Sequence, residues 1–125
     1  MNWSEIRHFT SREFECRCCG VEMMNEAFVK KLDAAREEAN VPFTITSGYR
    51  CSRHNQATSN SGPYGPHTTG LAADIGLSGV EMRDTLTILS DMFERIGLNQ
   101  KGDWEQRFVH VDDLNDPGLG KIWTY

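Results

Sequence analysis

The chain has 125 residues, 38% hydrophobic and 25% charged, the proportions of one ordinary globular domain with a single core and no room for a second. Thirteen Lys and Arg against 18 Asp and Glu leave a net charge of −5. No basic run stands out, which argues against a nucleic-acid or other polyanionic partner. No run of about 18 apolar residues is present to span a membrane. The opening "MNWSEIRHFTSREFEC" has neither the basic nor the apolar region of a secretory signal, so the chain is expected to be made and left in the cytosol unless something else releases it.

Residues 1–23 read as an irregular lead segment packed on the domain, anchored by Phe9 and Phe14 and turning at Gly20. Its "CRCC" holds Cys16, Cys18 and Cys19, and the fourth cysteine, Cys51, follows "SGYR" far downstream. That is not a zinc-knuckle spacing, because a four-thiolate site pairs two short Cys-x-x-Cys hooks and Cys51 has no second Cys near it. A mixed metal site with His8 or His54, one disulfide to Cys51 outside the cytosol, and inert reduced thiols all stay open.

In "NEAFVKKLDAAREEAN" Phe28, Leu32 and Ala35 recur at helical spacing, with Asn25 as N-cap and Asn40 and Pro42 closing the element. "PFTITSGYR" alternates as a strand and runs into a turn. Residues 51–70, rich in Gly, Pro, Ser, Thr and Asn, read as one long loop, and long ordered loops are disproportionately functional. "LAADIGL" reads as a short buried strand. "SGVEMRDTLTILSDMFERIGL" reads as a second helix, with a Ser78/Glu81 capping box, an apolar stripe through Met82, Leu86, Leu89, Phe93 and Ile96, and a stop at Gly97. "RFVHVDD" and "GKIWTY" complete the strands. This order predicts an α+β domain over residues 1–125, with a small, mostly antiparallel sheet carrying helices on one side.

His67 and Asp74 bracket the entry to one predicted strand. His110 lies in another, and the period of two puts Asp112 on its face. If those strands are neighbours the groups converge, and two imidazoles with one carboxylate are a standard catalytic zinc set that leaves one tetrahedral position open. Gly70 lets the chain turn between the first two. An Asp inside an apolar strand adds weight, because a buried carboxylate needs a cation or several donors.

In order and at similar separations, "SGYR", "GPHTTGLAADI" and "FVHVD" resemble the motifs of the zinc peptidase family that contains the D-Ala-D-Ala carboxypeptidases and several phage endolysins, especially its small single-domain branch. The resemblance takes in the "CCG" lead segment and the helices flanking the motifs, and so spans nearly the whole chain. It implies a hedgehog/DD-peptidase-like fold with a zinc cleft, Zn2+ held by His67, Asp74 and His110, and Arg50 steadying the substrate carbonyl or the developing oxyanion. Arg50 also reads as a structural salt bridge.

Several relatives carry a carboxylate general base three residues before the last histidine ligand, where this chain has Arg107, which cannot accept a proton. Asp112 is the first choice for the base, Glu105 the second and Asp103 a weaker third. Asp112 equally reads as a carboxylate that orients a ligand, and Glu105 as a solvated turn residue. Tyr49, Tyr64, Trp104 and His54 read either as groove lining or as anchors. The implied activity is hydrolysis of peptide bonds in bacterial peptidoglycan, in stem peptides or cross-links and at D-amino acids. The implied setting is a phage or prophage lysis protein, or a virion module, that acts on the cell wall as a monomer. The expected partner is a peptidoglycan peptide, with no nucleic acid and no membrane. The competing reading, favoured by Arg107, is a catalytically inactive zinc-containing binding module of the same fold. A redox role for "CRCC" lacks the βαβ context of thioredoxin-like proteins.

Overall fold

A computed structural model describes residues 1–125. Three helices, α1 (Glu26–Ala39), α2 (Ser52–Thr58) and α3 (Gly79–Met92), accompany five strands: β1 (Thr44–Ser47), β2 (Ala72–Gly76), β3 (Arg95–Asn99), β4 (Phe108–Asp112) and β5 (Ile122–Thr124). The strands form one sheet in the order β1-β2-β4-β3-β5, antiparallel except for the parallel β3/β5 pair at one edge. The architecture is α+β, as the element order predicts. No helix is long and apolar enough to cross a membrane.

Alternation divides the sheet into two chemical faces. Ile45, Ala73, Ile75, Ile96, Val109 and Val111 point to a core shared with Phe28, Val29 and Leu32 of α1 and with Met82 and Leu89 of α3. The lead segment closes this core with Ile6, Phe9 and Phe14. α1 starts where Asn25 Oδ1 accepts the Phe28 N–H at 3.0 Å, and it ends at Asn40 in the left-handed conformation.

Four sequence expectations are corrected. The long loop contains a seven-residue helix, α2, capped by the Cys51 sulfur, and two 3-10 turns, because its backbone groups must be satisfied even where side chains are small and polar. The second helix is shorter than its apolar stripe. α3 ends at Met92, Phe93 is already extended, and Ile96 belongs to β3. The 3.6-residue stripe ran on by coincidence into a strand in which Ile96 alternates with Arg95 and Gly97. Gly97 is no helix stop: a Cβ there would lie 2.6 Å from the Trp123 ring. Ser78 caps α3 by position without a side-chain bond, so the predicted capping box is not formed.

Candidate active site

The β2/β4 register puts Asp74 directly opposite His110 and Ala72 opposite Asp112, and the β3/β4 register puts Arg95 opposite Asp112. His67 arrives from the 3-10 turn Pro66–Thr69, and Gly70 then swings the chain into β2 at φ +78°. The structure therefore brings together all three expected ligands. His67, Asp74 and His110 are 4%, 7% and 3% exposed, and one donor atom of each lies within 4.8 Å of the others.

Gly70 is constrained from two sides, since an added Cβ would sit 2.2 Å from the Met23 carbonyl oxygen. Gly70→Ala is expected to cost about 2–5 kcal/mol, combining roughly 1–2 of left-handed strain with roughly 1–3 of overpacking. Urea unfolding measures it, and an unchanged midpoint would mean that the Met23 backbone yields freely.

Each imidazole has one ring nitrogen tied back and the other turned inward. His67 Nδ1–H donates to the Gly48 carbonyl at 2.8 Å, which leaves Nε2 facing Asp74 Oδ1 at 3.3 Å. His110 Nε2–H donates to Asp112 Oδ2 at 2.6 Å, and Nδ1 meets the same Asp74 oxygen at 2.9 Å. A carbonyl or carboxylate behind a histidine fixes its tautomer and aims its free lone pair, which is the usual arrangement around a bound metal. Two nitrogens and one carboxylate oxygen, buried and convergent, are a donor set suited to zinc.

The electrostatics agree. Burial works against ionisation of Asp74, yet His110 and His67 hold its carboxyl far below the usual carboxylate range. Burial likewise disfavours a charged His110, but Asp112 and Asp74 on either side outweigh it and raise its pKa. Without a metal, the two carboxylates are met by His110 and by the Arg50 and Arg95 guanidiniums.

These groups form the floor of a cavity of about 490 Å³ whose wall includes Arg50, Ser59, Ser61, Arg95, Trp123 and Tyr125. Arg50 is tethered by Nε to Ser47 Oγ at 2.9 Å and by Nη1 to Asn55 Oδ1 at 3.3 Å, with Nη2 3.5 Å from Asp74 Oδ2. Asp112 does not line the cavity. It is fully buried behind His110, its oxygens also taking Arg95 Nε at 3.1 Å each and the Leu114 N–H at 3.1 Å. Burial opposes its ionisation too, but His110 leads the contacts that lower its pKa.

Glu105 and Asp103 are exposed around the 3-10 turn Trp104–Gln106 and do not reach the cavity. Glu105→Gln is therefore expected to leave turnover within about twofold of wild type, as surface changes do. A loss of about 10²-fold with metal retained would restore Glu105 as base. Arg107 turns outward to the Gly102 carbonyl and stacks on Trp104. Tyr49, Tyr64, Trp104 and His54 stay off the cavity wall.

Sequence reasoning missed Arg95, Trp123 and Tyr125. The Arg95 guanidinium lies 4.5 Å from the Trp123 ring centre, and Trp123 packs 5.4 Å from His110. Burial and the Asp74 charge raise the Tyr125 phenol pKa, which keeps it a hydrogen-bond donor. Reading "RIGLN" as a strand rather than a helix end would have placed Arg95 on the site face.

With this geometry in view, the comparison with known families is decisive: the family model described as Peptidase M15 matches residues 7–112, which contain every residue of the proposed ligand set and its supports. The chain belongs to the M15 peptidases. No curated protein matches it. M15 peptidases are zinc metallopeptidases, so the resemblance carried by the three motifs holds at the level of family and fold. The match begins at Arg7 and so takes in the cysteine-bearing lead segment as part of the M15 domain.

Proposed function

We propose that this M15 domain hydrolyses peptide bonds of bacterial peptidoglycan, in stem peptides or cross-links and at D-amino acids, acting on the cell wall in phage or prophage lysis. The observation that carries the reading is the pair of imidazoles, each tied back on one side and aimed at Asp74 on the other, at the floor of a cavity walled by two guanidiniums. His67, Asp74 and His110 would hold the ion. When bound, zinc polarises a peptide carbonyl and makes water acidic enough to act as a nucleophile near neutral pH.

The chain's own residues do the rest. Arg50, already fixed by Ser47 and Asn55, meets negative charge developing on the carbonyl oxygen without reorganising. Arg95 and the Tyr125 hydroxyl present a cation and a donor to a peptide carboxylate or carbonyl. Asp112 serves as a positioning residue: it holds His110 in one tautomer and is itself held by Arg95.

The inactive binding module remains the second reading, favoured by one observation: the proposed ligand Asp74 is the only Asp or Glu side chain lining the cavity. Digestion of purified peptidoglycan with zinc-loaded and chelated protein separates the two. New amino groups or released D-alanine, abolished by the chelator and restored by zinc, are expected. Protein shown to contain zinc that releases neither would overturn the enzyme reading. Free D-alanine indicates a carboxypeptidase, and new amino groups within cross-links indicate an endopeptidase.

A further inference from the structure

The cysteines that the sequence left undecided converge in space. Cys16 and Cys19 come from the lead segment, and Cys51 lies 35 residues beyond Cys16 at the N-terminus of α2. Their three sulfurs lie within 4.8 Å of one another, and none is in a disulfide. Residues 16–21 form a tight turn that brings Cys16 and Cys19 to the same side as Cys51. Cys16 N–H donates to the Val21 carbonyl and Gly20 N–H to the Cys16 carbonyl, both at 2.8 Å, with Gly20 at φ +75° and open space around it. That glycine serves the turn and not packing.

We infer that Cys16, Cys19 and Cys51 form a second, structural metal site for a thiophilic divalent cation such as zinc, with Cys18 as the fourth ligand. Backbone donors already reach two of the sulfurs. The Cys51 N–H points at Cys16 Sγ at 3.3 Å, and the His54 N–H points at Cys51 Sγ at 3.4 Å. Such N–H groups stabilise the negative charge of thiolates. A tetrahedral ion with sulfurs at about 2.3 Å sets them about 3.8 Å apart, so the cluster needs to contract by no more than about 1 Å. Cys18, exposed and one residue before Cys19, lies outside the convergent trio, and its thiol would have to swing inward to complete the set. A disulfide would use two sulfurs and strand the rest, whereas one ion engages them all and releases a proton from each thiol it binds.

The site would staple the lead segment to the turn that supports the peptidase centre. Tyr49 N–H donates to the Phe14 carbonyl at 3.0 Å, and a Cβ at Gly48 would lie 2.6 Å from Phe14 Cα. The same turn supplies the Gly48 carbonyl that holds His67, and its Arg50 N–H donates to the His67 carbonyl at 3.0 Å.

The test uses the full chain, purified under reducing conditions with zinc and then reconstituted with cobalt(II). Two metals per chain are expected. The His67→Ala/His110→Ala variant should keep one metal together with a thiolate-to-cobalt charge-transfer band. Cys16→Ser/Cys51→Ser should lose that band and keep the other metal. Titrating wild type with a mercurial should release one zinc as the cysteine thiols react, which needs no variant to fold. A wild-type chain with no charge-transfer band, or one whose mass shows a disulfide and whose thiols titrate without releasing metal, overturns the proposal. Because the signal is specific to sulfur, its failure is separate from any failure of the His67 centre.

Discussion

Alanine at His67, Asp74 or His110 is expected to remove most of the metal from the cavity centre and to lower peptide hydrolysis by about 10³-fold or more, the several kcal/mol of charge stabilisation that a catalytic ion supplies. Three protein ligands are the minimum of an open catalytic site, so losing one leaves two donors and a buried unpaired remainder. Asp74→Ala should be the most severe. Asp74 Oδ1 is the atom on which both imidazoles converge, and Asp74 Oδ2 faces Arg50. Removing it leaves a tethered guanidinium and two histidines around an empty space. Metal is best counted in a Cys16→Ser/Cys51→Ser background, where the thiolate cluster cannot contribute. Near-stoichiometric metal in all three variants would show that the ligand set is wrong.

Asp112→Ala should act differently. If Asp112 positions His110, its loss weakens metal affinity by about 10–100-fold, the usual effect of deleting an outer carboxylate. It also destabilises the fold by about 3–5 kcal/mol, because Arg95, 8% exposed, is left as an unpaired buried charge. Chelator competition reads the first and urea unfolding the second. If Asp112 were instead the general base, turnover would collapse while metal affinity stayed at the wild-type value. That outcome would return Asp112 to the role that its place on the His110 strand face first suggested.

The parts of the site that could be read from sequence are those that local rules carry. Asp74 stood out as a charge in an apolar strand, and strand alternation paired Asp112 with His110. Gly70 was legible as a turn glycine and does adopt a positive φ. What stayed hidden depends on register and tertiary approach. Arg95 faces Asp112 only because β3 pairs with β4, and that strand was masked by an apolar stripe that continued the helical period through Ile96. α2 was invisible because six polar residues and one alanine carry no periodic signal, and its cap is a sulfur. The meeting of Cys51 with Cys16 and Cys19 follows from packing of the lead segment under the β1 turn, which no spacing rule encodes.

β5 joins the sheet through β3 alone, and Trp123 and Tyr125 reach the cavity from residues that lie beyond the stretch matching the family. The floor, with Arg50 and Arg95 beside it, and the part of the wall formed by Trp123 and Tyr125 are thus written in separable stretches of chain. Tyr125 and the residues around it could be redrawn to admit a different peptide while every proposed ligand, and the Leu114 N–H that helps hold Asp112, stayed as they are, which makes the end of this segment the natural place to retarget the peptidase.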